Sequence, residues 1–284
     1  MKDFKAYLAE QKYRSSTIKG HIENIRRFTG WYNGKGHELA TYQTLLLFIR
    51  RWKSRGVSKA TLNLHLQSLE KYFDYLISCG IRKDNPARGL RLKTGGKRVL
   101  QDLLSEEELQ EIYSVYANRP PWTFKGEKSK ASHRKNVVIL GFLVFQGLAT
   151  GELAIIERGH IDLHRGTLYA AGTHRSASRI LPLHAGQIIG IEHYLSNLPA
   201  EQNHLFSGSI RSSLTWLMTV LRRSTPVKNA QQLRHSVIMN RVRRYGIRKA
   251  QYLAGHKYVS STERYRQEDL EELTGQLEKY HPLK

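Results

Sequence analysis

Hydrophobic positions recur at helical intervals over most of the chain. In "STIKGHIENIRRFTGWY" the apolar residues Ile18, Ile22, Ile25, Phe28 and Tyr32 are spaced to form one stripe, which predicts a helix with Ser16 as its N-cap. "TYQTLLLFIRRWKSRG" continues the pattern through Leu45, Leu46, Phe48, Ile49 and Trp52, and Gly56 ends it. The clearest stripe is Leu62, Leu66, Leu69, Phe73 and Leu76, opened by Ser58 and closed by Gly80. Stripes of this kind cover one another, so residues 1–88 are expected to form a small helical domain with a cationic exterior.

The period is then lost. Pro86, Gly89, Gly95 and Gly96 interrupt it while Arg88, Arg91, Lys93, Lys97 and Arg98 accumulate, so residues 89–104 read as a basic linker. A second domain over 105–267 is expected to start at "SEEELQEIY", where Ser105 and Glu108 make a capping-box pattern. "VVILGFLVF", Val137 to Phe145, is far shorter than the ~20 residues of a membrane span and reads as a buried helix. "HIDLHRGTLYAAG" and "SASRILPLH" are rich in β-formers and predict a hairpin or a small three-stranded sheet. Helices resume near Gln187, Ser212, Ala230 and Ile247, and residues 268–284 carry a last stripe, Leu270, Leu273 and Leu277, before Pro282. The expected fold class is mainly α with a small β-sheet: a helical N-terminal domain followed by an α+β domain.

Charge narrows the function. The 284 residues hold 46 Lys and Arg against 24 Asp and Glu, a net +22, spread along the whole length. That distribution suits a protein that tracks a polyanion, and nucleic acid more than a membrane. The start, "MKDFKAYLAEQKY", has no apolar core of a secretory signal, so a cytoplasmic protein is expected. Cys79 is the sole cysteine, so neither an intrachain disulfide nor a cysteine zinc cluster is expected. No phosphate-binding glycine motif is present, and "HIDLH" alternates like a strand running into a turn rather than a ligand set. No metal and no cofactor are expected.

Three segments carry the chemistry. "QGLATGEL", "NAQQLRHS" and "LAGHKYVSSTERY" follow one another after the basic helical part and the "NPARGL" exit. Each phrase alone is weak, but their order over essentially the whole chain resembles the tyrosine recombinases, the phage integrases and Xer-type enzymes of the mobile-element branch. The resemblance implies a helical core DNA-binding domain and a catalytic domain that breaks and rejoins DNA through a 3′-phosphotyrosine, without metal or ATP. It implies two arginines and a histidine or tryptophan on the phosphoryl oxygens, a second histidine for the tyrosine proton, and a hairpin lysine for the leaving oxygen. Such a set suits the reaction, because a phenol of pKa about 10 attacks a phosphodiester only where its proton is taken and the new negative charge is met by fixed cations.

Matched by position, Tyr265 is the nucleophile, His256 the late histidine and Arg234 the second arginine. Polar flanks, Glu263, Arg264 and Arg266, predict that Tyr265 is not deeply buried. Three positions depart from the pattern. Ala149 stands where the first arginine belongs; by analogy with loss of one transition-state donor, this costs on the order of 10² to 10³ in rate. Either the site has diverged and another cation fills it, or the arginine has been deliberately replaced to slow cleavage; the retained Glu152 and turn glycines favour the second. Gln231 replaces the histidine of His-x-x-Arg and cannot exchange a proton near neutrality, and His235 is not expected to substitute because adjacent helix positions diverge. The hairpin offers His174, or Arg175 after a one-residue shift, in place of lysine.

Arg14, Lys19, Arg26, Arg27, Arg50, Arg51, Lys53, Arg55 and Lys59, with Arg91, Lys93, Lys97 and Arg98 of the linker, are the candidate DNA contacts, mostly to phosphates. The resemblance further implies double-stranded DNA with paired recombination sites as partner, a homotetramer on it, and a monomer or weak dimer without it. Residues 268–284 are then either exchanged between protomers or docked on their own domain. The alternative reading is an accessory DNA-binding protein that keeps the fold without the chemistry; relaxation of the type IB topoisomerase kind suits the "GHK…STERY" spacing less well.

Overall fold

Phe4 and Leu8, one turn apart on α1 (Lys2–Glu10), are fully buried and open the first of two cores. The computed structural model describes residues 2–33, 36–93, 102–120 and 126–265. Lys97, Arg98 and the 268–284 segment with Leu270, Leu273 and Leu277 lie outside the described residues. The chain divides into two units, Met1–Arg98 and Val99–Lys284.

In the first unit α1 is followed by α2 (Ser15–Trp31), α3 (Tyr42–Ser54) and α4 (Lys59–Ser78). The expected stripes are the buried ones: Ile18, Ile25 and Phe28 on α2, Leu45, Phe48 and Ile49 on α3, and Leu62, Leu66, Leu69, Phe73 and Leu76 on α4. Ser58 caps α4 by accepting from the Thr61 N–H at 3.2 Å. Ser16 does not cap α2; it lies inside the first turn, and Arg14 occupies the cap position with no side-chain hydrogen bond. The beginning of the presumed linker is tied to α4, because Asn63 exchanges two hydrogen bonds with the Leu92 backbone at 2.9 and 2.8 Å. Asn85 likewise donates to the Glu70 carbonyl at 2.9 Å.

The second unit is built around α6 (Gly126–Val144), whose residues from Asn136 to Val144 are all buried. A helix apolar on every side must be enclosed. Around it lie α5 (Glu106–Ala117), α8 (Ala185–Ser196), α9 (Ile210–Leu221) and α10 (Ala230–Ala254). The Ser105 capping box forms, with Ser105 N–H to Glu108 Oε2 at 2.7 Å and the return bond at 3.2 Å. Between α6 and α8 sit the single turn α7 (Thr150–Leu153) and three antiparallel strands in the order β1 (Ile161–Asp162), β2 (Thr167–Ala170) and β3 (Arg179–Pro182). Ala170 pairs with Arg179, so residues 171–178 form the loop of the β2–β3 hairpin. The helix expected near Ile247 is continuous with the one starting at Ala230 except for a backbone break at Gly246. The fold is thus mainly α with a small sheet, and no helix among the described residues is long and apolar enough to cross a membrane.

Candidate active site

Glu152 on α7 organises the site. Its carboxylate, 1% exposed, accepts from the backbone N–H of Ala149 at 2.7 Å, from Arg179 Nη1 at 2.6 Å and from Arg234 Nη1 at 3.4 Å. Burial pushes the acid up, but the hydrogen bond and charge of Arg179, the Ala149 N–H and Arg234 prevail and hold it below the usual carboxylate range. Arg234, on the second turn of α10, also donates to the carbonyls of Gly147 and, at 2.8 Å, Ala254. One side chain thereby joins α7, the turn before it and the end of α10.

A third guanidinium lies behind these. Arg241 donates to the carbonyls of Phe145, Gln146 and Leu253 at 2.9, 3.1 and 3.1 Å, closing the end of α6. Burial, with Arg179 and Arg234 nearby, lowers it to about 10, so it remains protonated at neutral pH. Arg179 and Arg234 share the Glu152 carboxylate while Arg241 is held by backbone carbonyls, so the cluster carries a net positive charge largely shielded from water. An anion is the ligand such a site is built to receive. Arg179 is itself fully buried, engaged with Glu152, Leu253 O and Ala177 O, and does not occupy the place left by Ala149.

His256 is presented by a glycine corner. Gly255 ends α10 at φ +70°, and a Cβ there would lie 2.3 Å from Arg179 Nη1, so both backbone and packing require glycine. The Gly255 carbonyl accepts from Ala177 N at 2.9 Å, and Ser176 bridges His256 across the same seam. The hairpin loop bearing His174 and Arg175 is consequently stitched to the corner that carries His256. His174 and Arg175 are exposed, and the Arg175 N–H donates to Thr173 Oγ1 at 3.2 Å. Nδ1 of His256 is 2.9 Å from Thr262 Oγ1, and burial together with Arg234 and Arg179 lowers the imidazole to about 4. It is neutral at physiological pH.

Tyr265 lies in a helical stretch over 260–265 and is 5% exposed. The expectation from its polar flanks is therefore overturned: the ring packs in a core with Ile238, Met239, Val242, Ala250 and Ala254. The flanks misled because Glu263 and Arg264 leave the turn in other directions, Arg264 being exposed. Two imidazoles border the ring, His256 stacked at 6.3 Å and His235 edge-on at 5.8 Å between centroids. His235 does face this site, contrary to expectation. It lies one turn beyond exposed Gln231, whose Nε2 is 3.3 Å from His235 Nε2.

The structure thus brings together Tyr265, Arg234, His256 and Gln231, with Ala149 half-buried at the N-cap of α7. Arg179 and Arg241 were not singled out from the sequence, and His235 was set aside there although its spacing from Gln231 was the available clue. In the first unit, Lys19, Arg26 and Arg27 are exposed on the face of α2 opposite its buried stripe, Arg27 lying 3.6 Å from Glu23. Arg14, Arg50, Arg51, Lys53, Arg55, Lys59 and Lys93 are also exposed, whereas Arg91 is paired with Glu70 at 2.6 Å. Among the described residues no three His, Cys, Asp or Glu side chains converge as a metal site would require.

Residues 1–80 match the family described as phage integrase, N-terminal SAM-like domain. The tyrosine recombinase XerA of Thermococcus kodakarensis is 26% identical, over 98% of this chain and 94% of that protein. XerC of Bacillus pumilus is 24% identical, over 96% and 92%. A match to XerC of Bacillus licheniformis, 26% identical, spans 66% of this chain and 59% of that one. In fold, the chain is similar to a lambda integrase dimer bound to a COC′ core site, with TM-score 0.69, 17% identity and coverage of 93% and 75%. It is also similar to the Tn1549 transposon integrase in complex with transposon right end DNA, with TM-score 0.66, 14% identity and coverage of 95% and 98%.

A helical unit that matches the integrase SAM-like domain is thus followed by an α+β unit in which a tyrosine packs near the arginine cluster, in a fold similar to that of integrases. Over nearly its whole length the chain is similar in sequence to tyrosine recombinases.

Proposed function

We propose that the protein is a site-specific DNA recombinase in which Tyr265 attacks a phosphodiester. The observation that carries this reading is the packing of Tyr265 against His256 beside the half-buried Arg234, which shares the Glu152 carboxylate with the buried Arg179. In the reaction the Tyr265 oxygen bonds to phosphorus, the bond to the 5′ oxygen breaks, the phenol loses its proton and the 5′ oxygen gains one. The 3′-phosphotyrosine retains the bond energy for rejoining. Arg234 and the Nε2–H of His256, in the tautomer where Thr262 donates to Nδ1, hold the non-bridging oxygens, and Gln231 adds an amide donor. His174 or Arg175 faces the leaving oxygen. Tyr265 must leave its apolar setting to reach phosphorus, and DNA is the ligand that shifts that balance.

In the same reading residues 1–88 are the core DNA-binding domain, 89–104 the linker, 105–267 the catalytic domain and 268–284 the tail. The protein serves a mobile element and acts as a homotetramer on paired sites, and Ala149 weakens cleavage. The test uses nicked duplexes carrying a site selected by binding from a randomised pool. The expected result is a covalent adduct, faster with Ala149→Arg and absent with Tyr265→Phe. Tight binding without an adduct, even for Ala149→Arg, would instead establish an accessory binding protein, the reading that Ala149 and the buried tyrosine favour.

A further inference from the structure

Gln231 leaves the site without the histidine that would handle the tyrosine proton, yet a second imidazole borders the Tyr265 ring. We propose that His235 accepts the Tyr265 phenol proton during strand cleavage and returns it during rejoining. The inference rests on the recombinase reading above.

The geometry carries it. Gln231 and His235 are one turn apart on α10, so their side chains lie on one ridge, and their Nε2 atoms are 3.3 Å apart. An amide N–H can meet that nitrogen only as an acceptor, which puts the ring proton on Nδ1 and leaves Nε2 as a base. The same ring stands edge-on to Tyr265, 5.8 Å between centroids at 80°. Gln231 is exposed, so its amide is available to a DNA phosphate oxygen; once it turns there, the Nε2 lone pair is released toward the phenol. The groups facing His235 are Gln231 and Arg234 of α10, and Tyr265 and Arg264 of the following segment. Burial first, then Arg264 and Arg234, lower its pKa, so it is unprotonated at neutral pH and competent as a base.

The step balances. The Oη–H bond breaks and its proton passes to His235 Nε2, the Oη–P bond forms, and the P–O5′ bond breaks. The departing 5′ oxygen is protonated from the hairpin side of the site or by water. Rejoining runs the same transfers backwards.

The test measures adduct formation on the selected nicked duplex across pH for the intact chain and for His235→Gln, His235→Asn, Gln231→His and Gln231→His/His235→Gln. Thermal melting and binding to the same duplex are followed in parallel. Loss of the base is expected to slow adduct formation by about 10²-fold. It should also remove the limb of the pH profile on which rate rises with deprotonation, with binding unchanged. Gln231→His should restore both rate and profile to His235→Gln, which a merely structural role of His235 does not predict. Rates for both His235 variants within about twofold of the intact chain, with an unaltered profile, would overturn the inference and leave the recombinase reading intact. No Tyr265-dependent adduct from any form, Ala149→Arg included, would overturn both.

Discussion

Glu152 and Arg179 form a buried ion pair, Oε1 to Nη1 at 2.6 Å, with side chains 1% and 0% exposed. The pair ties α7 to β3, and its arginine fills the space under Gly255 that positions His256. Neither residue faces solvent, so the pair acts on the site by fixing the elements that carry Arg234 and His256.

Removing one partner should therefore unfold the second unit more readily. Arg179→Met is expected to cost about 3–5 kcal/mol, because it leaves a buried carboxylate with only the weaker contact to Arg234 and the Ala149 N–H. Glu152→Gln should act in the same direction by leaving Arg179 and Arg234 without their shared counter-charge. Urea unfolding of the variants measures this, and a cost below about 1 kcal/mol for both would show that the pair does not hold these elements.

The two demands on Gly255 are separable by comparison with Gly80. Both adopt positive φ, +70° and +72°, but a Cβ at Gly80 meets nothing within 4 Å. Gly80→Ala should cost the left-handed backbone penalty alone, about 1–2 kcal/mol. Gly255→Ala should cost that plus about 1–3 kcal/mol of overpacking against Arg179. Equal losses in thermal unfolding would mean that Arg179 moves aside freely.

Acid should weaken the fold partly through His256. Its folded pKa, about 4, lies below the ordinary histidine value of 6.5, so below about pH 6.5 the unfolded chain takes up a proton that the folded chain refuses. The stabilisation from neutral His256 is whole above that pH and is lost as pH falls toward 4. His21, His65, His133 and His235 are lowered as well and act in the same sense. The discriminating quantity is the slope of stability against pH between 4 and 6.5, which should be shallower in His256→Gln. An unchanged slope would show that the burial of His256 does not depress its basicity.

The stripes that became α2, α3 and α4 were legible because each helix buries one face, and the hairpin because its strands alternate. Tyr265 was located but its burial was misjudged, since neighbours in sequence constrain the direction of a side chain on a helical turn very little. Arg179 and Arg241 were unreadable for a different reason. Their partners, Glu152, Leu253, Phe145 and Gln146, are remote in sequence, and a buried arginine donating to carbonyls looks in sequence like any surface cation. His235 was readable from its spacing to Gln231 on the helix expected from Ala230; the divergence of adjacent helix positions, on which it was set aside, does not apply to residues four apart.

The cationic surface of the first unit can be tested without knowing the recombination site. Lys19 and Arg26 are exposed on α2 with no acidic partner among the ion pairs of the described residues, whereas Arg91 is held at 2.6 Å by Glu70. If the first two meet phosphates, each neutralises one and releases its counterions, so Lys19→Gln and Arg26→Gln should each reduce the slope of log affinity against log salt by about 0.9. Arg91 already has a counter-charge, and Arg91→Gln should change the slope by less than half as much. Titrations of a fluorescent duplex of arbitrary sequence at several salt concentrations give these slopes directly. Slopes unaltered by both α2 variants would remove that face from the DNA-binding surface.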